Sequence, residues 1–192
     1  MNKFIPIALA AVALAVQADA AIIDFNLVGV AGAGLLPGNE PGSITGGTGG
    51  EIGSGIFYDD VANLLTVNVG WGSSQGFSDL SSLANNSHIH GPTAANNGSG
   101  FTQTAAVLFN LTRSSNAVTG GTFTNAPILL TGAQEVDLLN GKYYINIHTA
   151  NNGGGEARGF LIAVPEPSVC GLAACGVVGF LGRRRKQSSV LG

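Results

Sequence analysis

The chain has 192 residues, a formal net charge of −3, 10% charged residues and 30 glycines. Residues 21–163 hold three cations (Arg113, Lys142 and Arg158) against nine acids, a net of −6, which excludes a nucleic-acid binder because phosphate neutralisation needs clustered Lys and Arg. Both cysteines, Cys170 and Cys175, fall in a C-terminal apolar run, so residues 21–163 offer no thiolate for catalysis, disulfides or metal binding.

In chain order, residues 1–20 read as a signal peptide. Lys3 gives a basic start, residues 4–16 are almost wholly apolar, and Ala18-Asp19-Ala20 is the small-x-small pattern that signal peptidase cuts after. The apolar run is too short to span a bilayer. Residues 21–29 predict a first strand, and residues 31–50 a long Gly/Pro loop without regular structure. Residues 55–58 and 64–71 predict two strands around the turn Asp59-Asp60. In the second, Leu65, Val67, Val69 and Trp71 alternate with Thr66, Asn68 and Gly70, the period of a half-buried strand.

Residues 87–92 follow a serine-rich loop. Residues 104–111 predict a strand with Ala105, Val107, Phe109 and Leu111 on one face, and residues 117–124 a shorter one. Residues 133–141 are the one helical turn, closed by Asn140-Gly141. Residues 142–149 alternate again, and residues 151–163 turn through glycines into a last strand. Short strands between turn signals predict an all-β domain over residues 21–163, a Greek-key antiparallel β-sandwich.

The chain has three histidines, and strand parity sorts them. His88 and His90 share a face, with Ile89 on the other. On residues 142–149, Tyr143, Ile145 and Ile147 share one face, and Tyr144, Asn146 and His148 the opposite one. If the two strands are neighbours, all three imidazoles project from one surface, a ligand set suited to copper or zinc. The alternative is that they are hydrogen-bonding surface residues, with Glu156 and Arg158 supplying ordinary partners for His148. No Ser is set in an elbow-type glycine motif, so hydrolase chemistry has no nucleophile here.

The C-terminus reads as a stop-transfer element: Val-Pro-Glu-Pro-Ser, an apolar run over 169–182 that contacts the membrane before processing, then Arg183, Arg184, Arg185 and Lys186 holding the cytoplasmic end. Residues 164–192 resemble the PEP-CTERM sorting signal, with Pro165, Glu166 and Pro167 as the motif. The resemblance implies cutting by an exosortase in a Gram-negative bacterium that makes exopolysaccharide, and delivery to the envelope, outer surface or medium.

Three further stretches, residues 88–92, 138–149 and 151–161, resemble the CHRD domain in order and spacing. That resemblance implies an extracellular β-domain, immunoglobulin-like or Cu/Zn superoxide dismutase-like in architecture. A more distant similarity to Cu/Zn superoxide dismutases matches His88, His90 and His148 to copper ligands and Arg158, with Glu156 near it, to an anion-guiding or second layer around the metal. A fourth, bridging His, the zinc ligands and the disulfide are absent. Two functions follow as expectations. One is a non-catalytic surface or matrix component associated with exopolysaccharide or another envelope component, using exposed aromatics such as Tyr144 or Trp71. The other is a copper- or zinc-binding protein with superoxide dismutase-like redox activity.

Overall fold

A computed structural model describes residues 21–94 and 101–165. The signal cleavage site (Ala18, Ala20), Glu166 and Pro167, the 169–182 run and the basic cluster Arg183–Lys186 lie outside the described residues. Among those described, no helix is long and apolar enough to cross a membrane.

Among the described residues eleven strands form: β1 Ile22–Gly29, β2 Gly32–Ala33, β3 Gly49–Asp59, β4 Leu64–Trp71, β5 Ala84–His90, β6 Val107–Asn110, β7 Thr112–Arg113, β8 Gly121–Thr124, β9 Ile128–Leu129, β10 Tyr144–Thr149 and β11 Ala157–Ala163. One helix, α1 Gly132–Leu139, precedes β10. It starts where the sequence supplies a cap: Thr131 accepts the Gln134 N–H, and the Gln134 side chain accepts the Thr131 N–H in return. It ends at Asn140, before Gly141 at φ 64°.

All strand pairs are antiparallel, in the order β6-β5-β10-β11-β1-β3-β4-β8-β7, with β2 beside β1 and β9 beside β4. The all-β antiparallel expectation therefore holds. Two separate sheets are not what forms: one sheet curls until its edges nearly meet, enclosing a sandwich-like core. The edge strands β6 and β7 are joined through Leu111, whose N–H donates to the Ser87 carbonyl at 3.0 Å. From β7, the Arg113 guanidinium reaches the carbonyls of Ala84 and Asn85 on β5.

The core follows the sequence alternation. Leu65, Val67, Val69 and Trp71 of β4 are fully buried, facing Ile145 and Ile147 of β10 and Ile89 of β5 in one apolar cluster. Each such side chain stabilises the fold by roughly 1.5–3 kcal/mol. Trp71 stacks obliquely on Phe123 at 4.6 Å and donates its indole N–H to the Ala117 carbonyl. It is not the exposed aromatic expected for a glycan surface, and neither is Tyr144, at 3% exposure.

The segment expected to be an irregular loop, residues 31–50, is ordered by long-range contacts. Beyond Val28, β1 turns away from β11, and Leu36 replaces it as the backbone partner of Arg158. This lays the 3-10 turn Pro37–Asn39 and Glu40 over the outer face of the sheet. Asn39 fixes it there, donating to the Arg158 carbonyl at 2.9 Å.

Candidate metal centre

β5 and β10 are neighbours, with His90 opposite Tyr144 and His88 opposite Asn146. Parity puts His88, His90 and His148 on the outer face, while Ile89, Ile145 and Ile147 enter the core. The ring centroids lie 4.8 Å (His88–His148), 5.5 Å (His88–His90) and 5.9 Å (His90–His148) apart. One ring nitrogen from each falls within 4.8 Å of the others.

Two backbone carbonyls set the tautomers. His90 Nδ1–H donates to the Ala105 carbonyl at 2.9 Å, and His148 Nδ1–H donates to the Gly153 carbonyl at 2.8 Å. Both rings therefore turn an Nε2 lone pair inward. His148 Nε2 accepts from His88 Nδ1 at 3.0 Å. His90 Nε2 is buried and has no hydrogen-bond partner. A buried acceptor left unpaired costs about 1–3 kcal/mol, and a carbonyl behind the ring, as at His90 and His148, is the usual support for a metal-binding imidazole.

All three rings are held neutral. Burial, then the neighbouring His148 and His90, lower His88 from 6.5 to about 4. Burial also lowers His90 and His148, outweighing the carbonyl hydrogen bonds that favour their charged forms. Neutral imidazoles are the form that binds metal. Three nitrogens about 2.0–2.1 Å from a tetrahedral ion lie about 3.3 Å apart, so the 3.0 Å pair is nearly at that spacing. The residues present would suit a copper or zinc ion held by His90 Nε2, His148 Nε2 and His88, whose Nδ1 becomes a ligand once its proton moves to Nε2.

The neighbouring residues build a cavity of about 480 Å³ beside this cluster, lined by His90, Tyr144, Asn146, Arg158, Glu40 and the turn 151–155. Tyr144 stacks flat on His90 at 4.8 Å, and its ring lies 4.6 Å beneath the Arg158 guanidinium. Arg158 is 1% exposed, and its Nε, Nη1 and Nη2 donate to the carbonyls of Asn39, Gln103 and Phe101. It thus pins both covering segments to the sheet. Glu40 approaches it at 3.8 Å. Burial raises the Glu40 carboxyl from 4.5 to about 7, against the opposing pull of Arg158 and of the nearby Asn146 amide.

Glu156 is not brought to the histidines. Its fully buried carboxylate accepts from the Gly47 and Ser81 N–H groups and from the hydroxyls of Ser81 and Thr149. Burial alone would raise its pKa, but these donors hold it below the usual carboxylate value. It ties three loops together at the end of the sheet.

Glu40, Ala105 and Gly153 were not singled out from sequence. Their one signal was Glu40 itself, an isolated charge inside a Gly/Pro-rich stretch; the two carbonyls carry none. Strand parity alone puts Asn146 on the histidine face of β10.

Compared with known proteins, residues 33–161 match the family model described as the CHRD domain. No curated protein and no solved structure matches the chain. CHRD domains occur in secreted or extracellular proteins. The match covers 129 of 192 residues, including all three histidines, both carbonyls behind them, and the Glu40–Arg158 pair, so the chain belongs to the CHRD domain family.

Proposed function

We propose that this is an exported CHRD-domain protein that binds one copper or zinc ion through His88, His90 and His148. The observation that carries this reading is the His90 Nε2 lone pair: buried, unpaired, oriented by the Ala105 carbonyl, and clustered with ring nitrogens of two other neutral imidazoles. A surface hydrogen-bonding role leaves the buried, unpaired His90 Nε2 unexplained. When bound, a copper ion would supply one-electron redox chemistry and a zinc ion Lewis acidity. The chain's own residues supply three ligands, the carbonyls that orient two of them, and the cavity alongside.

The C-terminal pattern of residues 164–192 favours a compatible second reading. In it, exosortase delivers the protein to the envelope or surface of a Gram-negative bacterium, where it associates with exopolysaccharide. Trp71 and Tyr144 are buried and offer no exposed ring for glycan contact. The metal reading is tested by purifying the protein without a polyhistidine tag, exposing it to copper and to zinc, desalting it and counting bound ions by mass spectrometry. One ion per chain, lost in His148→Ala, supports the site. No retained ion makes the histidines structural and leaves the matrix role standing.

A further inference from the structure

Among the described residues, four buried side-chain atoms lack a hydrogen-bond partner, and three of them belong to residues that line one cavity: His90 Nε2, Asn146 Oδ1 and Glu40 Oε1. All three are acceptors when Glu40 is ionised. Each is fixed by its other polar atom. His90 Nδ1–H donates to Ala105, and Asn146 Nδ2 donates to the Gly154 carbonyl at 3.3 Å. Glu40 Oε2 faces Arg158 Nε at 3.8 Å. Asn146 lies between His88 of β5 and Arg158 of β11 in the sheet register, which puts it between the histidines and the Glu40–Arg158 pair.

Buried polar groups are rarely left unpaired, and an unpaired set on a single cavity marks a missing partner. If His90 Nε2 takes an ion, Asn146 Oδ1 and Glu40 Oε1 remain as unpaired acceptors of residues lining the same cavity. The complementary ligand is an O–H donor. An anion would meet the Asn146 carbonyl and the Glu40 carboxylate, while the three guanidinium nitrogens of Arg158 already donate to carbonyls.

We propose that the cavity beside His90 holds the ion's non-protein ligand as a water or the hydroxyl of a small polyol, with Asn146 Oδ1 and Glu40 Oε1 accepting its hydrogen bonds, and that it disfavours anions. This deepens the metal-binding reading and rests on it. A divalent ion strengthens such a ligand as a donor, since coordination lowers the pKa of water. The arrangement is opposite in charge to the anion-guiding role expected for Arg158.

The test uses the whole protein loaded with one equivalent of copper(II), at pH 8. Azide is titrated and followed by its charge-transfer absorption in the wild type and in Glu40→Gln. Removing the carboxylate charge is expected to tighten azide binding by about tenfold, the effect of roughly 1.4 kcal/mol of lifted repulsion. Equal azide affinity in the two proteins, or tighter binding in the wild type, overturns the proposal. A second measurement needs no variant: oxygen-17-enriched water should broaden the copper resonance of the wild type. Glycerol abolishing that broadening would identify a polyol as the tighter ligand, whereas unchanged broadening would identify water. No broadening with or without glycerol overturns the proposal. If copper binds in one equivalent and is lost in His148→Ala, yet azide fails to discriminate, the inference alone falls. If no copper is retained, the metal reading falls with it.

Discussion

His90 and Ala105 stand 2.9 Å apart, ring Nδ1–H to backbone carbonyl, and that bond decides which face of the imidazole carries its lone pair. The carbonyl comes from the segment leading into β6, the strand beside β5. Ligand orientation therefore depends on where the backbone at Ala105 lies beside β5, and not on the His-x-His spacing alone.

The acid–base behaviour of the metal-free protein should separate two opposing contributions. The raised Glu40 carboxyl contributes stability fully below about pH 4.5, and this is lost as pH rises through about 7. The lowered His88 imidazole contributes stability above pH 6.5, lost as pH falls towards about 4, with His90 and His148 acting in the same direction. Glu40→Gln removes only the first contribution. Urea unfolding should show the variant more stable than wild type at pH 8 by about 2–3 kcal/mol, with the difference vanishing near pH 4.5. A difference that does not change with pH would contradict the burial of this carboxyl.

Arg158 is predicted to be the most sensitive polar position on the outer face. Arg158→Ala leaves three carbonyls and the buried Glu40 without their cation, a loss of about 3–5 kcal/mol in chemical unfolding. Arg158→Lys should recover less than half of that, because an ammonium cannot span carbonyls that a planar fork reaches together.

Trp71 provides the complementary control. Trp71→Ala removes the ring against Phe123 and the bond to Ala117, and should cost about 3–5 kcal/mol. Trp71 lies on the core side of β4, which is not a hydrogen-bonded neighbour of β5 or β10, whereas the histidines lie on the outer face, so one ion per folded chain should still bind. Loss of the ion in a folded Trp71→Ala would mean that the core and the site are coupled.

Gly155 has φ 137°, and a Cβ there would overlap the Glu40 carboxylate and crowd Asn146. Gly155→Ala should destabilise the chain by about 1–3 kcal/mol. It should also weaken metal retention, because the same turn presents the Gly153 carbonyl to His148.

Much of this architecture was readable from alternation. Residues 65–71 show the period-2 pattern, and the strand forms over Leu64–Trp71. The split of β10 into a core face and a polar face, and with it the meeting of the three histidines, follows from parity once β5 and β10 pair. The two-residue strands β2, β7 and β9 carry no such pattern, because only their partners define them. Residues 104–111 broke the expected alternation. β6 is an edge strand, its pairing shifts register between Ile89 and His90, and Val107 is 49% exposed. The order of residues 31–50 was invisible for a different reason: Asn39 is held by Arg158, 119 positions away, a contact that no local window contains.

The central claim concerns the ligand set, and X-ray absorption at the zinc edge of the zinc-loaded protein reads it directly. The account predicts a first shell with three nitrogens at about 2.0–2.1 Å, outer-shell scattering from three imidazole rings, and one oxygen ligand completing four-coordination. A shell made of oxygen alone, or one imidazole with carboxylates, would contradict it and place the ion away from His88, His90 and His148.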